Sequence, residues 1–151
     1  MKVIRKNLDL KDCGIVAAFN AASWCKNPHP YLVIRSMAKL SCKYKKSVGI
    51  TNTNLDKLLN LMKLPVKKLE GKNMEEIESS IMLGKAVILT YKQTRSQEGH
   101  AVMVFLDKHG KIKILNPELE LNGWNSLAAE IHAGAMDWVI GWELPHRGTI
   151  C

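Results

Sequence analysis

The sequence predicts an α+β fold, with helices leading and an antiparallel sheet following. Helix-period apolar stripes separated by loop signals fill the first half. From residue 86 onward, apolar runs of strand length take over. Two of those runs are joined by the tight turn Asp107-Lys108-His109-Gly110, which makes them antiparallel neighbours.

Each element has a local cause. The polar, basic stretch Lys6-Asn7-Leu8-Asp9-Leu10-Lys11 gives way at Asp12-Cys13-Gly14 to the apolar run Ile15-Val16-Ala17-Ala18-Phe19-Asn20-Ala21-Ala22, which is expected to be a buried helix. Asn27-Pro28-His29-Pro30 stops it, because proline removes a donor and disfavours helix in the residue before it. A second helix is expected over Tyr31 to Leu40. Loop residues 47–54 then end in capping side chains ahead of a stripe of Leu55, Leu58, Leu59, Leu61 and Met62. Pro65 closes that helix, and Val66 to Leu69 is a short strand candidate. Asn73 with Glu76 resembles a capping box opening a helix through Ile77, Ile81 and Met82, with Gly84 as its C-terminal cap.

Ala86 to Tyr91 is the first long strand, and the polar segment 92–98 delivers the chain to Gly99-His100. The hairpin follows, its second strand running from Lys111 to Leu115 and straight into Asn116-Pro117. Asn125 or Ser126 is expected to cap a late helix through Ile131 that ends at Gly134, and Asp137 to Trp142 is a last strand. Trp124 is read as a core tryptophan, with a shield over the His100 to Asn116 contact as the alternative. The 151 residues make one domain, expected over 1–144, with a flexible tail at 145–151. A core of this size buries about 70% of the unfolded surface without crosslinks.

Composition narrows the function. No stretch approaches the roughly 18 unbroken apolar residues of a membrane span, and the basic start is not followed by a signal-peptide pattern, so a cytoplasmic protein is expected. The four cysteines, Cys13, Cys25, Cys42 and Cys151, form no Cys-x-x-Cys pair, and His29, His109, His132 and His146 are scattered without ligand spacing. Reduced thiols are expected, with no metal and no cofactor. The net charge of +8 is uneven: residues 1–68 carry fourteen basic side chains against three acidic ones. Such a half can attract an acidic protein or a nucleic acid, or serve as a solvated face.

The candidate chemistry starts at Cys13. A thiol where a polar loop turns into a helix meets unpaired backbone N–H groups and the positive end of the macrodipole, which favour the thiolate. A lone cysteine beside alanines is more often structural; what raises this one is the order of its companions. His100 opens one strand of the hairpin and Asn116 closes the other, so the hairpin by itself sets the two side by side. Cys, then His, then Asn is the order of a thiol-hydrolase triad.

Asp12-Cys13-Gly14, Gly99-His100 before an apolar run, and Asn116-Pro117 after a Gly-centred hairpin resemble the papain-like cysteine peptidases, in particular the stand-alone relatives of the bacteriocin-processing, double-glycine leader peptidases. The resemblance spans nearly the whole chain through the ordered set of motifs. It implies a papain-like fold, with N-terminal helices packed on an antiparallel sheet. It also implies a peptidase or amide hydrolase cutting a peptide or isopeptide bond of a peptide or protein substrate. Cys13 would be the nucleophile, His100 the base and acid, and the Asn116 side-chain carbonyl the group that fixes the His100 tautomer. The Cys13 N–H would be one oxyanion donor. Asn7, where that family has glutamine six positions before the cysteine, would be the other, on a stem one methylene shorter. Two alternatives stand beside this reading. One is a papain-like binding module with an inert Cys13 that uses its basic face on an acidic partner. The other is acyl transfer, transglutamination or deamidation on the same triad.

Overall fold

A computed structural model describes residues 1–69 and 74–146. The elements run α1 (Cys13–Trp24), α2 (Tyr31–Ser41), α3 (Asn52–Leu61), β1 (Lys67–Leu69), α4 (Met74–Met82), β2 (Lys85–Gln93), β3 (His100–Leu106), β4 (Ile112–Leu115), α5 (Trp124–His132) and β5 (Met136–His146). The strands form one sheet in the order β1-β5-β2-β3-β4, and every neighbouring pair is antiparallel. Helices plus a five-stranded antiparallel sheet make the α+β class expected from the sequence.

The strand pleat sorts side chains onto two cores. Ile88, Ala101 and Met103 point to one face of the sheet, where α1, α2 and α3 pack. Val87, Leu89, Tyr91, Val102 and Val104 point to the other, covered by α4 and α5. Helix α1 is buried from Gly14 to Trp24, which explains why its sequence is apolar all round. The polar exception, Asn20, clasps the N-terminal segment: its side chain accepts from the Ile4 N–H at 2.8 Å and donates to the Ile4 carbonyl at 3.0 Å.

Local signals were met at several boundaries. Thr51 caps α3 by accepting from the Asn54 N–H at 3.2 Å, and Gly84 takes the positive φ of +87° that lets the chain leave α4. The Asn73 cap falls outside the described residues. The late helix starts earlier than expected: Gly123 is its N-cap, and Ser126 lies inside the first turn with its hydroxyl donating back to the Gly123 carbonyl at 2.9 Å. Trp124 is partly buried against the second core. Strand β5 also runs past the boundary set for the tail. Pro145 and His146 belong to it, because β5 lies between β1 and β2 and Lys85 pairs with His146. The Pro145 carbonyl also accepts the Trp24 indole N–H at 2.8 Å. The rest of the expected tail, 147–151, lies outside the described residues.

Among the described residues, no helix is long and apolar enough to cross a membrane, and no three His, Cys, Asp or Glu side chains gather as a metal site.

Candidate active site

Cys13 is the first residue of α1, half-buried, at the end of a helix that the core holds on all sides. Asp12 is the N-cap residue, yet its carboxylate does not cap the helix. It turns back instead and accepts from the N–H groups of Leu8 and Asp9, both at 3.1 Å, and from the Tyr31 hydroxyl at 2.6 Å. The loop before Cys13 is therefore fixed at two points, by Asn20 at Ile4 and by Asp12 at Leu8 and Asp9. Asn7 stands between them.

His100 begins β3, opposite Tyr91 on β2. Its ring meets the Tyr91 ring edge-on at 6.0 Å between centroids. Its Nε2 lies 2.7 Å from the backbone carbonyl of Asn116. A carbonyl only accepts, so this contact puts the proton of the neutral ring on Nε2 and leaves Nδ1 as the basic nitrogen. Asn116 itself is 5% exposed and left-handed, with φ +62°, a conformation asparagine tolerates better than most residues.

This departs from the expected triad in one respect. The Asn116 side-chain carbonyl was to hold His100; the main-chain carbonyl of the same residue does so, and the side-chain amide donates to Asn7 Oδ1 at 2.6 Å. The hairpin could fix that residue 116 neighbours His100. It could not fix which of two carbonyls on that residue faces the ring, because the turn in φ at Asn116 decides it.

Asn7, Cys13 and His100 line one cleft of about 600 Å³, with loop residues 47–52 on the far side and Trp138 against Gly99. A Cβ on Gly99 would lie 2.7 Å from the Trp138 ring, so only glycine lets the chain pass under the tryptophan into His100. A Cβ on Gly14 would collide with Ile50. Gly14, beside Cys13, and Gly99, beside His100, are thus both held to glycine by close packing.

The backbone N–H groups of Ala101, which follows His100, and of Gly14 and Cys13 itself lie near the Cys13 sulfur. These donors favour a thiolate, as the helix-start position suggested. Burial outweighs them and pushes the Cys13 thiol above its ordinary range, with the Asp12 charge adding to the rise. Burial likewise pushes the Tyr91 phenol up, reinforced by Glu118 near its hydroxyl.

Asp12, Asn20, Tyr91 and Trp138 escaped a sequence reading that looked for nucleophile, base and orienting amide. Two had a visible signal: Asn20 is the one polar side chain in the run from Ile15 to Ala22, and Asp12 adjoins the thiol.

The fold is the papain-like peptidase type, and a solved structure gives it a specific counterpart. That structure is the peptidase domain of Streptococcus ComA, a bi-functional ABC transporter involved in a quorum sensing pathway. It superposes with a TM-score of 0.60 over 96% of this chain and 98% of that one, at 13% sequence identity. No family model matches the chain, and no curated protein matches it in sequence.

Proposed function

We propose that the protein is a thiol hydrolase that cleaves a peptide or isopeptide bond with Cys13 as nucleophile and His100 as base and acid. The observation that carries this reading is the shared cleft: Cys13 and His100 line it together, and the Ala101 N–H beside His100 lies near the Cys13 sulfur. In the reaction, His100 Nδ1 takes the thiol proton as sulfur bonds to the substrate carbonyl carbon. The carbonyl oxygen becomes an oxyanion facing the Cys13 N–H and the Asn7 side chain. When the tetrahedral centre collapses, the C–N bond breaks and His100 gives its proton to the departing amine. Water, deprotonated by His100, then releases the acid and restores the thiol. The Asn116 carbonyl keeps the imidazole in the tautomer this cycle needs. Likeness to the ComA peptidase domain supports a peptidase-like function in general; a leader-type peptide substrate and a cytoplasmic location are part of this proposal.

A second reading is a papain-like binding module with a silent thiol, using its basic half on an acidic partner. One observation favours it: burial raises the Cys13 thiol above its ordinary range.

Peptide-library digestion read by mass spectrometry separates the two. The hydrolase reading expects sequence-selective cleavage that disappears in both Cys13→Ala and His100→Ala. Cleavage that persists in Cys13→Ala, or none from the unmodified protein, contradicts it.

A further inference from the structure

We infer that the open groove on the far side of His100 is the leaving-group side of the site and that it binds a carboxylate. The inference rests on the hydrolase reading for its direction and on the groove's own chemistry for its ligand.

Direction follows from which residues line which space. The acyl half of a substrate must lie with Cys13, whose sulfur bonds to its carbonyl carbon, and Cys13 lines the 600 Å³ cleft. A second space of about 900 Å³ shares His100 and Asn7 with that cleft, but Cys13 is not among its walls. It contains Asn116 and the loop after it. The group that receives its proton from His100 departs into this groove.

The ligand class follows from charge and from an unmet donor. Arg5, Lys6 and Arg95 face the groove, as do Glu118 and Glu120. Arg95 is engaged, 3.6 Å from Glu120 and 3.7 Å from Glu130. Glu118 lies near the Tyr91 hydroxyl, which itself has no hydrogen-bond partner among the described residues. Arg5 and Lys6 form no ion pair among the described residues, although the clasps on either side of them, at Ile4 and at Leu8, hold their backbone in place. Gln93, at the end of β2, is 6% exposed on the groove wall, and its side-chain nitrogen has no hydrogen-bond partner. A buried amide donor without an acceptor and two pre-positioned cations that form no ion pair among the described residues can be satisfied together by one carboxylate. That carboxylate can be the free C-terminus of a short departing peptide or the side chain of an acidic residue just beyond the scissile bond.

Three product-side peptides distinguish these sources and test the inference: Ala-Ala-Ala as the free acid, Ala-Ala-Ala amide, and Ala-Glu-Ala amide. Each is titrated into the unmodified protein while the Gln93 side-chain amide and the backbone of residues 5, 6 and 118 are followed by NMR. The expected result is about tenfold tighter binding of a carboxylate-bearing peptide than of Ala-Ala-Ala amide, with shifts at Gln93. That preference should vanish in the Arg5→Gln/Lys6→Gln double variant, whose changes are on exposed side chains. Preference for the free acid alone assigns the C-terminus; preference for Ala-Glu-Ala amide alone assigns the side chain. Equal affinity for all three overturns the inference, as does a preference that survives in the double variant or shifts that lie away from the groove. Carboxylate binding here without any library cleavage would defeat the hydrolase reading while leaving the anion site standing. Cleavage with no carboxylate preference would do the reverse.

Discussion

At one end of the site Cys13 stands on α1, whose residues from Gly14 to Trp24 are buried against the sheet and two helices. At the other end, Asn7 and Asn116 meet at the tips of two loops, joined by one side-chain hydrogen bond of 2.6 Å. The thiol is placed by packing and the amides by a few polar contacts. Removing a core contact near Cys13 should therefore cost stability before it costs chemistry, and altering Asn7 or Asn116 should do the opposite.

Ile15→Ala strikes the packed end. It deletes part of a fully buried side chain two residues from the nucleophile, and a loss of about 2–5 kcal/mol in unfolding free energy is expected by denaturant titration. A loss below about 0.5 kcal/mol would mean that the helix is not gripped as described. Asn7→Ala strikes the loop end: kcat should fall about a hundredfold with the folding midpoint unmoved, through loss of an oxyanion donor. An unchanged kcat would leave the Cys13 N–H as sole donor. Asn116→Gly should be milder, about tenfold or less, because glycine keeps both the left-handed backbone and the carbonyl that holds His100. A drop as deep as that of His100→Ala would return the orienting role to the side chain.

The smallest effect joins the two ends through Asp12. Its charge raises the Cys13 pKa while one of its oxygens, Oδ2, holds the Asn7 loop. Asp12→Asn removes the charge, so the pH profile of Cys13 alkylation should move to lower pH than in the unmodified protein. In the unmodified protein that profile should lie above the ordinary thiol range of about 8.5. The sign follows from burial: the folded state favours the neutral thiol. The stabilisation this gives is present at neutral pH and is lost as pH climbs through the folded value. An alkylation profile unchanged by Asp12→Asn would remove the electrostatic link.

The same division explains what the sequence made legible. The α1 helix, the order of the strands from residue 86 and the meeting of His100 with residue 116 follow from apolar periodicity and one tight turn, which are properties of short segments. The carbonyl chosen at Asn116 and the backward reach of Asp12 depend on single torsions, and the Trp138 ring over Gly99 on a contact across more than thirty residues; no apolar periodicity encodes either. The placement of α4 and α5 on the face opposite α1 is likewise a matter of packing across the whole sheet and not of any short segment.

The central claim is that Cys13 and His100 act on one another in a common cleft. A peptidyl acyloxymethyl ketone, followed by intact mass and peptide mapping, measures this directly. One adduct on Cys13 is expected, forming at least about tenfold more slowly in His100→Ala. Equal labelling rates in the two proteins, or an adduct on Cys25 or Cys42 in place of Cys13, would contradict it.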